Sequence, residues 1–202
     1  IIKRMIDIIG ALIGTVLLIP VTIIIYFARK FSKEEKGPLF YEQLRYGKNG
    51  KIFRLYKYRS MCIGADEKLK EYLASNEEAR KEFKKTHKLQ NDPRITKIGN
   101  FLRKTSLDEL PQMINILKGD MSFVGPRPFV EKEVEEYGEK KEKFLSVKPG
   151  LTGYWQVNGR SNTTYEERME MELYYVDNCS LWLDIKIFFK TFKTVFKKEG
   201  AV

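Results

Sequence analysis

The chain has 202 residues, enough for one domain with a hydrophobic core and too few for two domains of ordinary size. Its 37 Lys and Arg exceed its 27 Asp and Glu, and the net charge of +10 favours an anionic partner. The single histidine, His87, argues against catalytic zinc and His-dependent triads, while two cysteines, Cys62 and Cys179, are too few for a disulfide scaffold and fit a reducing compartment.

The first predicted element is an apolar run from Ile8 to Ala28. Its 21 residues carry no charge, and about 20 apolar residues are needed to span a membrane as a helix. Pro20 lies in the middle and cations flank both ends, which the positive-inside tendency places in the cytoplasm. We therefore predict a re-entrant membrane helical hairpin over residues 1–37. A kinked single-pass helix is the main alternative, and a signal peptide is disfavoured because its apolar region usually has about 7 to 15 residues.

Residues 38–180 are predicted to form a mixed, mostly helical region. Asn49 and Gly50 favour a turn between two aromatic and β-branched runs, and this pattern predicts a β-hairpin over residues 39–59. Residues 119–128 and 148–160 are rich in Gly and Pro and are predicted as loops. Helices are predicted over 66–88, 111–118, 130–144 and 165–176, the last opened by a capping box of Thr164 and Glu167.

The last predicted element, over residues 181–202, is an amphipathic helix that follows Ser180 as N-cap. One side carries lysines at helical spacing, and the other is rich in aromatic residues, as in helices that lie in a membrane interface. An ordinary surface helix that packs on the core is the alternative. The lysines of the polar stripe are Lys186, Lys190, Lys193 and Lys197.

Several cations are candidates for phosphate binding, although the sequence contains no Walker loop and no GxGxxG motif. Guanidinium groups bind phosphate oxygens in a bidentate way, and two of the arginines, Arg127 and Arg160, lie next to Gly or Pro in the sequence. A single exposed arginine often only increases solubility, so the prediction requires that several converge on one site. The candidates are Lys57, Arg59, Arg103, Arg127 and Arg160.

Asp108 and Glu109 are the candidate acidic residues. Ser106 and Glu109 have the spacing of a capping box, which would give the pair a structural role, but Pro111 fits poorly inside such a helix. A helix that begins at Leu107 or Asp108 would place both carboxylates at its positive end. An ionised Asp there could attack a phosphorus atom or bind Mg²⁺, and the spacing leaves both roles open.

A family resemblance rests on five segments that together extend over nearly the whole chain: KRMIDIIGA, FRLYKYRSM, DPRITKIGNFLRKTSLDELPQMINILKGDMSFVGPRP, KPGLTGYWQVNGRS and LWLDIKI. In these segments the chain resembles the bacterial sugar transferases, the monotopic polyprenyl-phosphate phosphoglycosyl transferases. The resemblance implies an α+β, predominantly helical fold. Residues 1–37, 38–180 and 181–202 would then be the membrane hairpin, the catalytic region and the interfacial helix of one catalytic unit.

The resemblance also implies an activity. A sugar phosphate would pass from a UDP-sugar, with UDP-glucose or UDP-galactose favoured, to undecaprenyl phosphate, releasing UMP. This reaction initiates capsule, exopolysaccharide or O-antigen synthesis at the cytoplasmic face of the bacterial inner membrane. The expected partners are these two substrates and membrane lipids, without nucleic acid, and self-association into a homo-oligomer is compatible with the resemblance.

Residue roles follow by motif position. Asp108 would be the nucleophile that forms a covalent phosphosugar intermediate, and it would also contact Mg²⁺. Glu109 would position or activate its neighbour or the incoming polyprenyl phosphate. The resemblance assigns phosphate or nucleotide contacts to five cations: Arg103, Arg127, Arg160, Lys57 and Arg59.

Some positions depart from the family pattern. Ile19 precedes Pro20 where serine is often found, and Lys148 replaces a frequent arginine. The segment 66–90 resembles an insertion of larger members that carry an additional N-terminal membrane region. Because residue 1 is Ile rather than Met, we expect this chain to be part of such a longer protein.

Two other functional classes provide alternatives. A membrane-tethered nucleic-acid binder needs basic and aromatic residues interleaved on one face, and only residues 51–59 offer this pattern. A non-catalytic membrane scaffold would explain both apolar ends but would leave Asp108 and Glu109 as a helix cap.

Overall fold

The computed structural model describes residues 1–32, 37–86, 89–159 and 163–196. The chain is α+β and mostly helical, as the sequence predicts. Three short 3-10 turns lie at Lys48–Gly50, Leu107–Glu109 and Gly138–Lys140. The helices and strands are α1 (Ile2–Phe31), β1 (Phe40–Tyr46), β2 (Ile52–Tyr58), α2 (Ala65–Ser75), α3 (Glu77–Thr86), α4 (Lys97–Lys104), α5 (Gln112–Lys118), β3 (Ser122–Val124), α6 (Glu131–Glu136), α7 (Lys141–Phe144), β4 (Gly150–Thr152), α8 (Tyr154–Asn158), α9 (Tyr165–Asn178) and α10 (Leu181–Phe196).

Helix α1 continues through Pro20, so the predicted break into a helical hairpin is wrong. Proline removes one backbone hydrogen bond, but packing on both sides of it keeps the chain helical. Ala11 packs against the core formed by β2 and α5, while Leu18 and Ile25 pack around Tyr58. These contacts fall on one stripe of the helix, which therefore lies along the rest of the domain. The depth and sidedness of α1 in a membrane stay predictions.

The opposite side of α1 is apolar and open. The helix is long and apolar enough to cross a membrane, with a mean hydropathy of 2.7 over its most apolar window, of which 17% is buried. Contiguous apolar surface of this kind is rare on soluble proteins and indicates membrane association. The exposed residues include Ile9, Leu12, Ile13, Val16, Leu17, Ile23, Ile24 and Phe27.

The predicted β-hairpin is confirmed. Strands β1 and β2 are antiparallel, and the turn between them has positive φ at Asn49 (57°) and Gly50 (76°). Asn115 of α5 is fully buried against β2, where its Nδ2 donates to the carbonyl of Arg54 at 2.7 Å and its Oδ1 accepts the N–H of Tyr56 at 3.1 Å. This side chain therefore fixes α5, and the turn before it, beside the end of β2.

Two predicted helices are each divided in the structure. The prediction over 66–88 is corrected at Asn76, which adopts φ −130° and ψ 107° and accepts the N–H of Ala79 at 3.0 Å as a cap for α3. The prediction over 130–144 is corrected at Gly138, which has φ 49° and leads from α6 through a 3-10 turn into α7. Predicted helices 111–118 and 165–176 are confirmed as α5 and α9, and the capping box of Thr164 and Glu167 is formed.

The segments predicted as loops contain regular structure. Strands β3 and β4 pair in parallel, with Ser122 opposite Gly150, and α8 follows β4. Gly125 and Gly150 allow this pairing because a Cβ on either would collide with the backbone of the other segment. Helix α4 was not among the predicted helices; it begins after Thr96, whose Oγ1 accepts the N–H of Gly99 at 2.9 Å.

Helix α10 begins after Ser180, whose Oγ accepts the N–H of Leu183 at 3.2 Å, as predicted. The structure describes this helix to Phe196, and Lys197 lies outside the described residues. Ile187 packs in the core, whereas Trp182 and Phe189 are exposed by 64% and 67%. The helix thus has an inner contact with the domain and an exposed aromatic side, and its location in a membrane interface stays a prediction.

Candidate active site

Asp108 and Glu109 lie in a 3-10 turn before α5. Ser106, which precedes the turn, has the left-handed conformation (φ 56°, ψ 17°), and its side chain makes no cap hydrogen bond. The capping box considered for Ser106 and Glu109 is therefore not formed. Helix α5 begins only at Gln112, one turn later, so both carboxyl groups are available for contacts with other elements.

Glu109 forms an ion pair with Lys57 at the end of β2. Its Oε1 accepts from the Lys57 ammonium at 2.6 Å, and the two side chains are 37% and 28% exposed. Burial opposes ionisation of Glu109, but Lys57, followed by Arg127 and Arg45, outweighs it and lowers the pKa of this carboxyl.

Asp108 is the more buried of the two acids, with 9% of the residue exposed. Burial, together with the neighbouring Glu109 charge, raises its pKa to about 6, although Lys57 and Arg103 act in the opposite direction. A carboxyl with a pKa near neutrality is common at functional sites, and here a cluster of cations surrounds it.

A polar cavity of about 130 Å³ lies beside the turn. Its charged lining consists of Glu109 and three cations, Lys57, Arg45 and Arg127, which come from β1, β2 and the loop after β3. The guanidinium of Arg127 donates no hydrogen bond to another described residue. The cavity is therefore electropositive and suits a phosphate-containing ligand. The remaining lining residues are Leu55, Gln112, Pro128, Gly150, Leu151, Trp155 and Gln156.

The other predicted cations have different locations. Arg103 lies next to the turn, where its Nε donates to Ser60 Oγ at 2.9 Å and its charge acts on Asp108. Arg59 is separate from the cavity lining, since its Nε donates to the carbonyl of Pro38 at 3.0 Å and its guanidinium lies 5.4 Å from the centre of the Tyr41 ring. The prediction for Arg160 falls outside the described residues.

Arg45 is a cavity residue that was not among the predicted site residues. It is 8% exposed, and the hairpin register pairs it with the buried Phe53, so the two residues lie on the same face. Arginine in a two-stranded hairpin normally faces solvent, and composition alone gave no reason to expect burial. Pairing the two strands residue by residue from the predicted Asn-Gly turn places Arg45 opposite Phe53, on the face of the hairpin that packs against the core. This signal could have identified Arg45.

The acidic residues limit the kind of metal site. Among the described residues, no group of three or more His, Cys, Asp and Glu side chains could hold a metal ion. Asp108 and Glu109 supply adjacent carboxylates, and Mg²⁺ is commonly bound by one or two carboxylates together with phosphate oxygens and water. The donor set therefore fits a Mg²⁺ ion shared with a bound phosphate and does not form a site from protein ligands alone.

Comparison with known proteins gives a consistent result. The family model for bacterial sugar transferases matches residues 1–198. The chain is 48% identical over 199 residues to the undecaprenyl-phosphate galactose phosphotransferase of Salmonella typhimurium, covering 98% of this chain and 41% of that protein. It is 42% identical over 203 residues to the UDP-glucose:undecaprenyl-phosphate glucose-1-phosphate transferase of Escherichia coli, with coverage of 96% and 39%.

Relatives of other lengths also match. The exopolysaccharide production protein ExoY of Sinorhizobium fredii is 43% identical over 199 residues, covering 98% of this chain and 87% of that protein. An uncharacterised sugar transferase of Haemophilus influenzae is 48% identical over 201 residues, and the chain spans 42% of its length. The chain thus spans less than half of several curated relatives and most of others.

Proposed function

Because this chain belongs to the bacterial sugar transferase family, we propose that it transfers a sugar-1-phosphate from a UDP-sugar to undecaprenyl phosphate and releases UMP. The observation that carries the proposal is Glu109 in the wall of a cavity lined by three cations, with the buried Asp108 next to it in the same turn. The names of the relatives make UDP-galactose and UDP-glucose the donors of choice. The reaction would initiate synthesis of an exopolysaccharide, a capsule or O-antigen.

In the first step, the ionised carboxylate of Asp108 attacks the phosphorus that carries the sugar. A bond forms between its Oδ and that phosphorus, and the bond from the same phosphorus to the oxygen of UMP breaks, so UMP leaves with the electron pair. In the second step, a phosphate oxygen of undecaprenyl phosphate attacks the phosphosugar, and the Asp108 carboxylate is released. Dividing the transfer in this way allows one site to serve a soluble donor and a lipid acceptor in turn.

Glu109 and Lys57 support this chemistry through their ion pair. The pair holds the Lys57 ammonium at the cavity wall, where it acts on the charge of Asp108 and would stabilise negative charge on the phosphate oxygens. Arg127, without a protein partner for its guanidinium among the described residues, would bind the same phosphates in a bidentate way. Arg103 on α4, whose charge acts on Asp108, would contribute a further cation.

We expect Mg²⁺ to be held by the Asp108 carboxylate and the diphosphate oxygens, with Glu109 as the adjacent acid. When bound, the ion would neutralise charge on the diphosphate as UMP departs. Addition of a chelator is expected to abolish UMP release, and excess Mg²⁺ is expected to restore it.

We also propose that the protein binds the bacterial cytoplasmic membrane through α1 and α10. The exposed apolar side of α1 and the exposed aromatic residues of α10 support binding to the bacterial cytoplasmic membrane. Arg29 and Lys30 at the end of α1 favour the cytoplasmic face for the catalytic region. Assembly into a homo-oligomer stays a prediction from the resemblance.

The direct test measures UMP release by the purified protein in detergent with Mg²⁺, undecaprenyl phosphate and either UDP-galactose or UDP-glucose. Wild-type protein is expected to release UMP and to show a phosphosugar adduct on Asp108 by mass spectrometry, whereas Asp108→Asn is expected to do neither. Asp177→Asn is the matched control, because Asp177 is a half-exposed carboxylate that pairs with Lys143 at the surface. Full activity of Asp108→Asn would remove Asp108 from the role of nucleophile.

A further inference from the structure

Arg45 on β1 is a buried cation that reaches the cavity wall. Its Nη1 donates to the carbonyl of Pro128 at 3.1 Å, its Nη2 donates to Gln43 Oε1 at 2.6 Å, and Glu133 lies 3.5 Å away as an ionic partner. Its Nε has no hydrogen-bond partner among the described residues. A guanidinium so deeply buried needs more compensation than these contacts give, because desolvation of a charge is costly.

The surroundings of Arg45 carry an excess of positive charge. Burial, followed by repulsion from Arg127, lowers the pKa of Arg45 to about 10. Glu133 is shared, since it also lies 3.6 Å from the buried Arg168, and Glu109 is already paired with Lys57. The cavity lining thus contains one carboxylate, Glu109, against three cations, and an anionic ligand between the cations would reduce their repulsion.

The backbone brings Arg45 and Arg127 together. The N–H of Tyr46, the residue after Arg45, donates to the carbonyl of Phe129 at 2.9 Å, which ties β1 to the loop that contains Arg127. From the other side, the fully buried Glu172 accepts the N–H of Arg127 at 3.2 Å. The backbone of the loop is thus held on two sides, and the backbone positions of both arginines are set before any ligand binds.

We propose that Arg45 and Arg127 form a pair of guanidinium groups that binds the diphosphate of the nucleoside diphosphate sugar at one end of the cavity. The inference rests on the proposed function and adds Arg45 as a binding residue for the donor. Two planar guanidinium groups can bind several phosphate oxygens at once, and a ligand with two negative charges compensates both cations. The diphosphate of the donor meets this requirement.

The test is the Kd of UDP for the purified protein in detergent, measured by titration calorimetry for wild type and Arg45→Gln. We expect Arg45→Gln to raise the Kd for UDP at least about tenfold, because a hydrogen-bonded charge is lost. Arg54→Gln is the matched control. It removes an arginine from the same hairpin whose side chain is 69% exposed and pairs with Glu42, and it should leave the Kd unchanged.

Two further measurements sharpen the assignment. The double variant with Arg127→Gln should weaken UDP binding by less than the product of the single effects, because both groups contact one ligand. Arg45→Lys keeps the charge but loses the bidentate geometry, and it should fall between wild type and Arg45→Gln. If Arg45→Gln does not fold, as judged by circular dichroism, Arg45→Lys carries the test, and a Kd like that of wild type would overturn the proposal.

Separate measurements with UDP and with undecaprenyl phosphate distinguish a donor site from an acceptor site. Weaker binding of UDP supports the pair as a donor site, whereas an unchanged Kd for UDP combined with a raised KM for undecaprenyl phosphate overturns it. The outcome is also separable from the proposed function. If wild type binds UDP through Arg45 yet releases no UMP from either UDP-sugar, the transfer activity fails and the binding pair stands. If wild type is active and Arg45→Gln binds UDP normally, the pair fails and the activity stands.

Discussion

The Lys57 ammonium lies 2.6 Å from Oε1 of Glu109, and this ion pair contributes to different pKa values for two neighbouring carboxyl groups. Glu109 has a lowered pKa because it holds a cation directly. Asp108 is buried, has no such partner among the described residues and has a pKa raised to about 6. Because the two groups interact, the pair titrates in two coupled steps, of which the later is assigned to Asp108.

This relationship predicts a pH dependence of activity. Only the ionised carboxylate of Asp108 can attack phosphorus, so kcat/KM should fall as the pH drops through about 6. Lys57→Met removes the cation that most lowers the pKa of Asp108, so the acidic limb should move to higher pH and the rate should decrease. The measurement is kcat/KM for the UDP-sugar between pH 5 and 8.

The control for this profile is Lys51→Met. Lys51 is the residue before β2, the strand that contains Lys57, and its side chain is 79% exposed. The acidic limb of this variant should coincide with that of wild type. An unshifted limb in Lys57→Met would mean that the profile reports a group other than Asp108.

Gly99 of α4 provides a test of how Arg103 is positioned. A Cβ at this residue would overlap the carbonyl oxygen of Ser60, so the helix and the segment after β2 touch backbone to backbone. Arg103 lies one turn further along α4 and contacts the Ser60 hydroxyl. Gly99→Ala should therefore push α4 away, weaken the contact of Arg103 and lower the free energy of unfolding by about 1–3 kcal/mol.

Urea unfolding and UMP release would both be measured for Gly99→Ala. Asn100→Ala adds alanine at the adjacent, exposed position of α4 and should retain stability and activity. Equal stability of the two alanine variants would contradict the close contact with Ser60.

Local patterns predicted the elements that depend on neighbouring residues. The Asn49-Gly50 turn, the capping box at Thr164 and the N-cap at Ser180 are all formed because each is a contact within a few residues. The same reasoning selected Asp108 and Lys57 as site residues, but their association depends on Asn115, which fixes α5 to β2 across about 60 positions of sequence.

Long-range contacts account for the errors. Strands β3 and β4 pair through Ser122 and Gly150, and short Gly-rich segments show no strand periodicity by themselves. The continuity of α1 through Pro20 depends on packing against Tyr58, which the apolar run does not reveal. Arg45 is buried by its register and by the loop that contains Pro128, and neither contact is visible in the composition of β1.

Glu172 predicts a dependence of stability on pH. Glu172 is fully buried, and one of its carboxylate oxygens has no hydrogen-bond partner among the described residues. Burial raises the pKa of this carboxyl from 4.5 to about 7. Because the pKa of Glu172 is higher in the folded state, the protonated side chain stabilises the fold at pH values below its pKa in the unfolded chain. This stabilisation is lost as the pH rises from about 4.5 to about 7. Glu172→Gln should therefore unfold at nearly the same urea concentration as wild type at pH 5 and be more stable at pH 8, by roughly 3 kcal/mol.

Glutamine can still accept the N–H of Arg127, so the variant changes charge while retaining that hydrogen bond. Glu131→Gln, at an exposed position in the first turn of α6, should show the pH dependence of wild type. A constant difference between Glu172→Gln and wild type across this pH range would exclude titration of Glu172 as the cause.

Lys3 and Asp184 connect the two apolar helices. The Lys3 ammonium donates to Asp184 and to the carbonyl of Val124 at 2.9 Å, and the Tyr175 hydroxyl donates to the other Asp184 oxygen at 2.6 Å. One carboxylate therefore joins α1, α9 and α10 at the end of β3. Asp184 is 8% exposed, so its removal should leave Lys3 and Tyr175 poorly compensated.

The coupling between Lys3 and Asp184 can be measured by a double-mutant cycle of Lys3→Met and Asp184→Asn, with urea unfolding in detergent. We expect a coupling energy of about 1–3 kcal/mol. This is less than for a fully buried pair, because the Lys3 side chain is 40% exposed. The comparison pair is Lys143 and Asp177, which has a similar distance of 2.7 Å but side chains that are about half exposed. Solvent screens that pair, so its coupling should be below about 1 kcal/mol. Equal coupling for both pairs would show that Asp184 does not hold α1 to α10, because a surface ion pair would then account for the whole effect.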